Sequence, residues 1–408
     1  MEDSFGSLRG LRVVEISTSV AGPLVGEILG DLGAEVIKVE QVGKGDDTRK
    51  WSPPTMDGES ITFMSLNRNK SSIELDYKDP RGREVLERLI SSADVLVQNL
   101  RPGALAKAGF GKERLDELNP QLIYCEITGF GRTGPKRDDA AYDPLLQAYS
   151  GIVRMVPTAD GSPVRVPLSI LDRGSALWAV IGIFDALRRR DQTGKGTHVE
   201  TSLLQTALSW ISVQVLGAVA GNEKRKPLGS GHDGVVPYGA FPTSDGYVFM
   251  SAGNQALWER FLAATGELDL LDREGFRSNQ ERAANRDLVE AAVGEITSRY
   301  ELATLISLLD DVGVPCSPVN DFEDMPDDPQ VRALGIIEDL PHPIAKRHQI
   351  VQLPVTFDGA YARHQRSAPL LGQDTESVLA SLGYEAEAVS TLLAAGVVAH
   401  SQQLPEGG

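Results

Sequence analysis

The sequence has few of the residues that mark secreted, metal-binding or membrane-spanning proteins. Its 408 residues include two cysteines, Cys125 and Cys316, which lie far apart. This excludes a disulfide framework and a cysteine-rich zinc site, and it favours a reducing compartment. No apolar run reaches the roughly 20 residues that a transmembrane helix needs. The first residues lack the basic and apolar segments of a secretory signal, so we predict a cytoplasmic protein without a membrane partner.

An excess of positive charge is also absent. The chain carries 57 acidic residues against 40 lysines and arginines, which gives a net charge of −17 and a pI near 4.9. This balance disfavours nucleic acid and anionic membrane as partners. An anionic small molecule must therefore be held by individual Lys, Arg and backbone N–H groups. Clustered metal ligands are not evident in the sequence, and we predict no metal.

The pattern of apolar residues indicates an α/β protein with two domains. Short apolar runs alternate with amphipathic segments in the first half, which is typical of a parallel sheet. A polar, Gly-rich stretch at 221–236 and a Pro-rich one at 315–329 interrupt this pattern. We predict a large Rossmann-like domain at 1–220, onto which 331–408 packs back, and a small α+β domain at 221–330. Strands are predicted at 11–17, 34–40, 95–98, 122–128, 196–201 and 351–357, and helices at 23–32, 80–92, 172–190 and 203–219.

The glycine pattern of a dinucleotide-binding fold is missing. A doubly wound sheet binds ligands at the carboxyl ends of its strands. The loop after the first predicted strand reads Ser17-Thr-Ser-Val-Ala-Gly-Pro23 instead of Gly-x-Gly-x-x-Gly. This disfavours a nicotinamide dehydrogenase. Lys and Arg residues scattered through the loops suit a phosphate-bearing ligand such as coenzyme A, although a solvated surface charge equally explains any one of them.

Asp172 is the strongest candidate for a catalytic residue. It follows an apolar run and begins a helical pattern through Trp178, Ile181 and Leu187. A carboxylate at the start of a helix is kept charged by free N–H groups and the helix dipole. The simplest explanation is an N-cap. The segments around Asp172 favour a functional role instead.

A set of short segments follows in order along the chain: Gly10–Ile16, Ala21–Pro23, Leu32–Glu40, Gly45–Arg49, Asn67–Asp76, Val97–Gly103, Ile127–Gly131, Tyr142–Asp143, Asp172 and Thr193–Gly196. Together these segments resemble the family III CoA-transferases, the superfamily of formyl-CoA, carnitine and bile-acid CoA-transferases, and the resemblance covers nearly the whole chain. It is strongest for members that act on dicarboxylates of the succinate and glutarate type. The formyl/oxalate members have a loop richer in glycine and are disfavoured, whereas carnitine and bile-acid transferases stay open.

The resemblance implies an acyl-CoA:carboxylate CoA-transferase with Asp172 as the nucleophile. The reaction would pass through a mixed anhydride and an aspartyl-CoA thioester, without ATP or metal. We expect fixed N–H groups at the helix start and in glycine loops to stabilise its oxyanions. The family forms a homodimer of interlocked, ring-like subunits. Contacts with CoA are implied at Val20, Ala21, Leu75, Asp76, Tyr77, Lys78, Asn99, Leu100, Arg101, Lys107, Ala140, Ala141, Tyr142 and Asp143.

Some details depart from the family pattern. Gln41 stands where the family often has Arg, so we expect Arg49, Lys38 or Lys44 to compensate. Arg49, together with Lys136 and Arg137, is also a candidate for holding a second substrate carboxylate. We further predict that a Gly-rich loop acts as a lid that excludes water from the active site. Its candidate residues are Gly229, Gly231, His232 and Gly234. The alternative explanation is that this loop is a plain interdomain linker.

Two other functions stay open as alternatives. An α-methylacyl-CoA epimerase needs two groups that flank the α-carbon, and these enzymes place His at the position of Tyr142. No histidine precedes His198 in the sequence, and His198 itself is expected to be structural. Tyrosine is a poor base at neutral pH. The transferase is therefore favoured. A non-catalytic CoA-binding protein is the second alternative, which an intact Asp172 disfavours.

Overall fold

The computed structural model describes residues 6–155, 158, 161–221, 229–232, 234–362 and 366–400. Two compact units are present. The first comprises Met1–Ser150, Val166–Gly217 and Gln330–Gly408, and the second comprises Gly151–Arg165 and Ala218–Pro329. The segment 151–165 groups with the second unit, which differs from the sequence-based division because no change in composition marks its ends.

The strands are short and are spread along the whole chain. In chain order they are β1 (Arg12–Ile16), β2 (Glu35–Glu40), β3 (Thr55–Met56), β4 (Glu59–Ser60), β5 (Lys70–Leu75), β6 (Val95–Gln98), β7 (Ile123–Thr128), β8 (Thr197–Ser202), β9 (Tyr238–Pro242), β10 (Tyr247–Ser251), β11 (Cys316–Pro318), β12 (Ile337–Asp339), β13 (Gln349–Val351), β14 (Thr356–Phe357), β15 (Ala360–Tyr361) and β16 (Val398–Ala399).

The helices alternate with the strands of the first half, as the apolar pattern predicts. In chain order they are α1 (Ala21–Asp31), α2 (Ile61–Met64), α3 (Pro80–Ser91), α4 (Ala104–Lys107), α5 (Lys112–Leu118), α6 (Asp143–Ser150), α7 (Ile170–Thr193), α8 (Leu203–Trp210), α9 (Ser212–Val219), α10 (Gln255–Thr265), α11 (Asn279–Ala284), α12 (Arg286–Thr297), α13 (Leu302–Asp311), α14 (Pro329–Leu334), α15 (Thr375–Ser381) and α16 (Ala386–Ala394). None of these described helices combines the length and the apolar character that a bilayer crossing requires.

A seven-stranded sheet is the centre of the first unit as far as the structure describes it. Its order is β16-β5-β2-β1-β6-β7-β8, and every pairing is parallel except the antiparallel pair of β16 and β5. The six parallel strands follow the doubly wound order of Rossmann-like folds. In such a sheet successive strands are added to one side of β1 up to β5 and to its other side from β6 onward. Ligands bind at the carboxyl ends of the strands near this change, between β1 and β6.

Apolar residues from both ends of the chain share one core in the first unit. Ile37 and Ile73 of the sheet and Leu86 of α3 are fully buried, and they belong to one cluster with Leu379 of α15 and Leu392 of α16. Each such side chain contributes about 1.5–3 kcal/mol when it is removed from water. The C-terminal helices are therefore part of this core.

The second unit has its own core and its own sheet. Within its described residues, β11, β10 and β9 form an antiparallel sheet in that order. The rings of Trp258, Phe261 and Phe276 stack beside it and are fully buried. This arrangement is that of an α+β unit.

The sequence pattern locates most elements, and three details differ. The predicted helix at 203–219 is divided at Ile211 into α8 and α9. The predicted strand at 351–357 is wrong, because that segment contributes to two different hairpins, β12–β13 and β14–β15. Asp172 is the third residue of α7 rather than its N-cap, which is Ser169.

Candidate active site

Asp172 lies in the first turn of α7, and its side chain is half-buried. Among the described residues, none donates a hydrogen bond to its carboxylate oxygens. Burial and the negative charge of Asp143 raise the pKa of Asp172 to about 7, although the Arg173 guanidinium acts in the opposite direction. A carboxylate that is partly withdrawn from water and left without donors is a better nucleophile than a solvated one.

Asp143 holds the start of α7 in place. This residue begins α6 and is 3% exposed. Its Oδ2 accepts the N–H groups of Leu171 and Asp172, at 2.6 and 3.1 Å. Asp143 therefore serves as the cap that Ser169, which makes no side-chain cap bond, does not provide. The resemblance implies a contact between Asp143 and CoA, and sequence reasoning did not identify Asp143 as the cap of α7.

Gln147 fixes the segment that leads into α7. It is fully buried one turn after Asp143 and donates to Asp143 Oδ1 and to the carbonyl oxygens of Val166 and Leu168. Its Oε1 accepts the N–H of Val166 at 2.9 Å. The spacing of four residues between Asp143 and Gln147 on one helix face is the signal that could have revealed this pair.

Three N–H groups in the first turn of α7 are already engaged. Asp143 takes those of Leu171 and Asp172, and the N–H of Arg173 donates to the Ser169 carbonyl. The expectation that these three groups stabilise a reaction oxyanion is therefore wrong. Their role is to fix the backbone beneath the nucleophile.

The other side of this turn packs closely against α8. Ser175 Oγ and Thr206 Oγ1 lie 2.8 Å apart, and both side chains are buried. A Cβ atom at Gly174 would lie 2.6 Å from an atom of the Trp210 ring. Glycine thus suits the position two residues after Asp172, because any side chain there would have to displace the Trp210 ring and the Thr206 methyl group.

The residues that the resemblance assigns to CoA follow the carboxyl ends of strands β1, β5 and β6. The side chains of Val20, Ala21 and Leu75 are buried, whereas Lys78 is exposed at the same edge of the sheet. The remaining positions are placed as follows: Asp76 and Tyr77 directly after β5, Asn99, Leu100 and Arg101 directly after β6, Lys107 at the end of α4, and Ala140, Ala141 and Tyr142 immediately before α6. Their contact with CoA stays a prediction.

Asn99 bonds to the protein backbone. Its Oδ1 accepts the N–H of Thr18 at 3.0 Å, and its Nδ2 donates to the Thr18 carbonyl at 2.7 Å. Both polar atoms of the side chain thus hold the loop between β1 and α1. Asn99 therefore positions neighbouring residues through its amide.

The basic residues expected to replace an arginine at Gln41 are engaged with carboxylates. Lys38 is fully buried between Glu15 and Asp46, at 2.7 and 2.9 Å, so the expectation that it reaches a phosphate is wrong. Arg49 forms a two-pronged pair with Glu40, at 2.8 and 2.6 Å, and its guanidinium lies over the Phe63 ring. Exposed pairs join Lys44 to Asp47, Lys136 to Asp139 and Arg137 to Asp138.

The predicted lid residues lie in the second unit. Gly234 accepts a hydrogen bond from Asn279 at 2.8 Å, and the His232 carbonyl accepts one from Arg286 at 2.6 Å. The backbone of His232 pairs with Val235. The loop is therefore tied to α11 and α12 at Gly234 and His232. Gly229 and Gly231 belong to the described part of the chain, whereas residues 222–228 and 233 lie outside it. A lid role stays a prediction.

A second polar cluster lies on the sheet, away from the first turn of α7. Glu126, His198 and Glu200 bring potential metal-ligand atoms within 4.8 Å of one another. Arg132 Nη1 contacts Glu200 at 2.6 Å and Glu126 at 3.5 Å, so a cation already offsets part of the negative charge of the two carboxylates. The ring of His198 stacks on Tyr124, in agreement with a structural role. A cavity of about 240 Å³ opens beside this cluster, between Pro102–Gly111 and Thr128–Asp138.

Comparisons with known proteins identify the family of this chain and agree with its fold. The pattern that defines CoA-transferase family III matches residues 8–375. A human succinyl-CoA:glutarate CoA-transferase is 36% identical over 397 residues, which is 96% of this chain and 90% of that protein. A succinate–glutarate CoA-transferase of Agrobacterium fabrum is 35% identical over 92% of this chain and 95% of its own. A CAIB/BAIF family protein from Brucella suis superimposes with a TM-score of 0.84 at 36% identity, covering 93% of this chain and all of that one. The chain therefore belongs to CoA-transferase family III.

Proposed function

We propose that this protein transfers CoA from an acyl-CoA to a carboxylic acid and that Asp172 is its nucleophile. The observation that carries the proposal is the half-buried carboxylate of Asp172, which has no donor among the described residues and lies on a helix turn fixed by Asp143. A carboxylate needs no neighbouring base to become nucleophilic. Tyr142, at the position of the epimerase histidine, is 62% exposed, which does not favour proton abstraction in a buried site.

The reaction balances through four transfers. The Asp172 carboxylate attacks the thioester carbonyl of the donor, which forms a mixed anhydride and releases the CoA thiolate. The thiolate attacks the aspartyl carbonyl of that anhydride, which gives the aspartyl-CoA thioester and frees the donor acid. The acceptor carboxylate then attacks this thioester, and the released thiolate attacks the acceptor acyl carbon. The products are a new acyl-CoA and the restored Asp172 carboxylate.

A dicarboxylate acceptor is part of the proposal. The human and Agrobacterium relatives are named for succinate and glutarate, and both align over more than nine-tenths of this chain. A second carboxylate needs a cation. Arg49 is held by a half-buried pair with Glu40, whereas the pairs of Lys136 and Arg137 are exposed and exchange readily with a ligand. The latter two are therefore the better candidates.

A homodimer in the cytoplasm completes the proposed function. An apolar stripe on α7 supports a dimer, because Leu177, Trp178 and Ile181 are 53%, 46% and 57% exposed in the single chain. On α9, Val213 and Leu216 are 68% and 65% exposed. Apolar surface of this extent on neighbouring elements is typical of a subunit interface.

Trapping of the covalent intermediate tests the function directly. We expect intact-protein mass spectrometry after mixing with succinyl-CoA to show a CoA adduct. Hydroxylamine should convert this adduct to a hydroxamate that maps to Asp172, because an activated acyl group is captured by that amine. A panel of glutarate, malate and oxalate then identifies the acceptor. CoA binding without any adduct from several acyl-CoA donors would favour an isomerase or a binding protein.

The pH dependence of transfer should follow the ionisation of Asp172. Burial and Asp143 raise the pKa of Asp172 to about 7, and only the ionised form attacks a thioester. We therefore expect kcat/KM for the acyl-CoA to rise as the pH increases through about 7 and to level off above it. Asp143→Asn removes the repelling charge and should shift this rise to lower pH. A profile that is flat between about pH 5 and about pH 9 would contradict the assignment.

A further inference from the structure

The loop between β1 and α1 has a strained backbone that neighbouring side chains must hold. Ser19 has a φ of +70°, a region that residues other than glycine seldom adopt. Val20 then serves as the N-cap of α1 without any side-chain cap bond. The position of Val20 and Ala21 therefore depends on contacts made by other parts of the chain.

Asp46 is one of the residues outside this loop that hold it. Its Oδ1 accepts the N–H of Ser19 at 3.1 Å and the hydroxyl of Thr18 at 3.2 Å. The same oxygen accepts the N–H and the hydroxyl of Thr48, at 2.9 and 2.8 Å. Asp46 thereby joins the loop after β1 to the loop after β2.

The fully buried Lys38 forms an ion pair with Asp46. Lys38 Nζ contacts Asp46 Oδ2 at 2.9 Å, and it also donates to the Ser17 carbonyl at 3.2 Å. Although burial raises the pKa of Asp46, Lys38 and the donors from Thr48 lower it to about 2. The carboxylate is thus ionised at every pH at which the protein functions, and it is 2% exposed, so it is not itself a ligand-binding group.

Close packing leaves the loop little freedom on its other side. A Cβ atom at Gly22 would lie 2.6 Å from Ser17 Oγ and 3.2 Å from Asn99 Cγ. Asn99 binds both backbone groups of Thr18. The loop is therefore held between Asn99 on one side and Asp46 on the other.

We propose that Asp46 is a positioning residue for acyl-CoA binding, and that it acts by fixing Ser19 and hence the backbone of Val20 and Ala21. This inference rests on the proposed function, in which Val20 and Ala21 contact CoA. It assigns a role to a buried carboxylate that touches neither the substrate nor Asp172. Its loss should therefore affect binding more than chemistry.

Asp46→Asn is the sharpest variant, because it preserves the shape of the side chain. One oxygen becomes an NH₂ group, which must face either the Lys38 ammonium or the donors of Ser19 and Thr48. We expect the Kd and KM for CoA substrates to rise by about 10–100-fold, as for other residues that orient a binding group, while kcat changes less than about threefold. Titration calorimetry gives Kd, and steady-state kinetics separates KM from kcat.

Asp57→Asn is the matched control. Asp57 is an exposed aspartate with a φ of +50° that accepts the backbone N–H of Lys346 at 2.8 Å, so its replacement repeats the chemical change at another loop. It should leave both Kd and KM unchanged. Thr18→Val is the milder second variant, which removes the hydroxyl that donates to Asp46 and accepts the N–H of Asp47, and so loosens the same link between the two loops. It should raise KM in the same direction, and it carries the test if Asp46→Asn fails to fold.

The outcomes separate this inference from the proposed function. Failure of the wild-type protein to bind CoA would overturn the proposed function. If Asp46→Asn or Thr18→Val binds CoA as tightly as the wild-type protein, even with a lower melting temperature, the positioning role of Asp46 is overturned and the residue is only structural. A selective rise in KM would support it.

Discussion

Replacement of Asp172 by Asn should reduce CoA transfer by a factor of about 1000 or more, because the amide cannot form the mixed anhydride. The side chain retains its size in the first turn of α7, and Asp143 continues to accept the N–H groups of Leu171 and residue 172. Binding of free CoA should therefore persist. The measurements are kcat with succinyl-CoA and glutarate, and the Kd for CoA by titration calorimetry.

Asp191→Asn provides the control for this substitution. Asp191 lies in the last turn of the same helix and is exposed, so its replacement removes the same charge far from the first turn. It should leave kcat within about twofold of wild type, in line with surface substitutions elsewhere. Residual transfer by Asp172→Asn above about a thousandth of wild type would count against a nucleophilic role. Loss of CoA binding together with activity would instead show that Asp172 shapes the binding site.

Local chemistry made several elements predictable. Asp79 followed by Pro80 predicts a helix start, and in the structure Asp79 caps α3 with Pro80 in its first turn. The predicted bounds of β1, β2, β6, β7 and β8 lie within one residue of the observed bounds. The first four are rich in apolar residues, as strands that are buried on both faces of a parallel sheet usually are. Cys125 is fully buried in β7, as its apolar neighbours indicate.

Elements that depend on tertiary contacts were not predictable in this way. The chain bends at Ile211, which is buried, and neither glycine nor proline marks the end of α8. The segment 351–357 is rich in strand-forming residues, but Pro354 interrupts it, and its two ends pair with different partners. At Ile211 packing outweighs the intrinsic preference of the sequence. At Pro354 the missing backbone N–H is a local signal against a continuous strand.

The site shows the same division between local and long-range information. Asp172 was identified through its neighbours in the sequence and the resemblance that they carry. The role of Asp143 depends on a contact with Leu171, 28 residues away in the sequence. The role of Asp46 depends on a contact with Ser19, 27 residues away. A useful signal was present nonetheless. Glu15 and Lys38 are charges of opposite sign inside apolar strands, and in the sheet they are register partners of β1 and β2.

Glu15 is the centre of the buried charges beneath these loops. Its carboxylate contacts Lys38 Nζ at 2.7 Å and Lys70 Nζ at 2.8 Å, and all three side chains are fully buried. Burial alone would raise the pKa of Glu15, but the two ammonium groups lower it below its ordinary value. The carboxylate therefore stays ionised and separates two cations that would otherwise repel each other.

Glu15→Gln should lower the free energy of unfolding by about 3–5 kcal/mol, because it leaves Lys38 and Lys70 close together in the interior without their shared anion. Urea denaturation followed by circular dichroism measures the loss. Glu35→Gln is the matched control, since Glu35 pairs with Arg12 at 2.8 Å on the adjacent strand but is 53% exposed. An exposed pair of this kind contributes less than about 1 kcal/mol. Equal effects from the two variants would show that Lys38 and Lys70 find sufficient partners in Asp46 and the surrounding carbonyl groups.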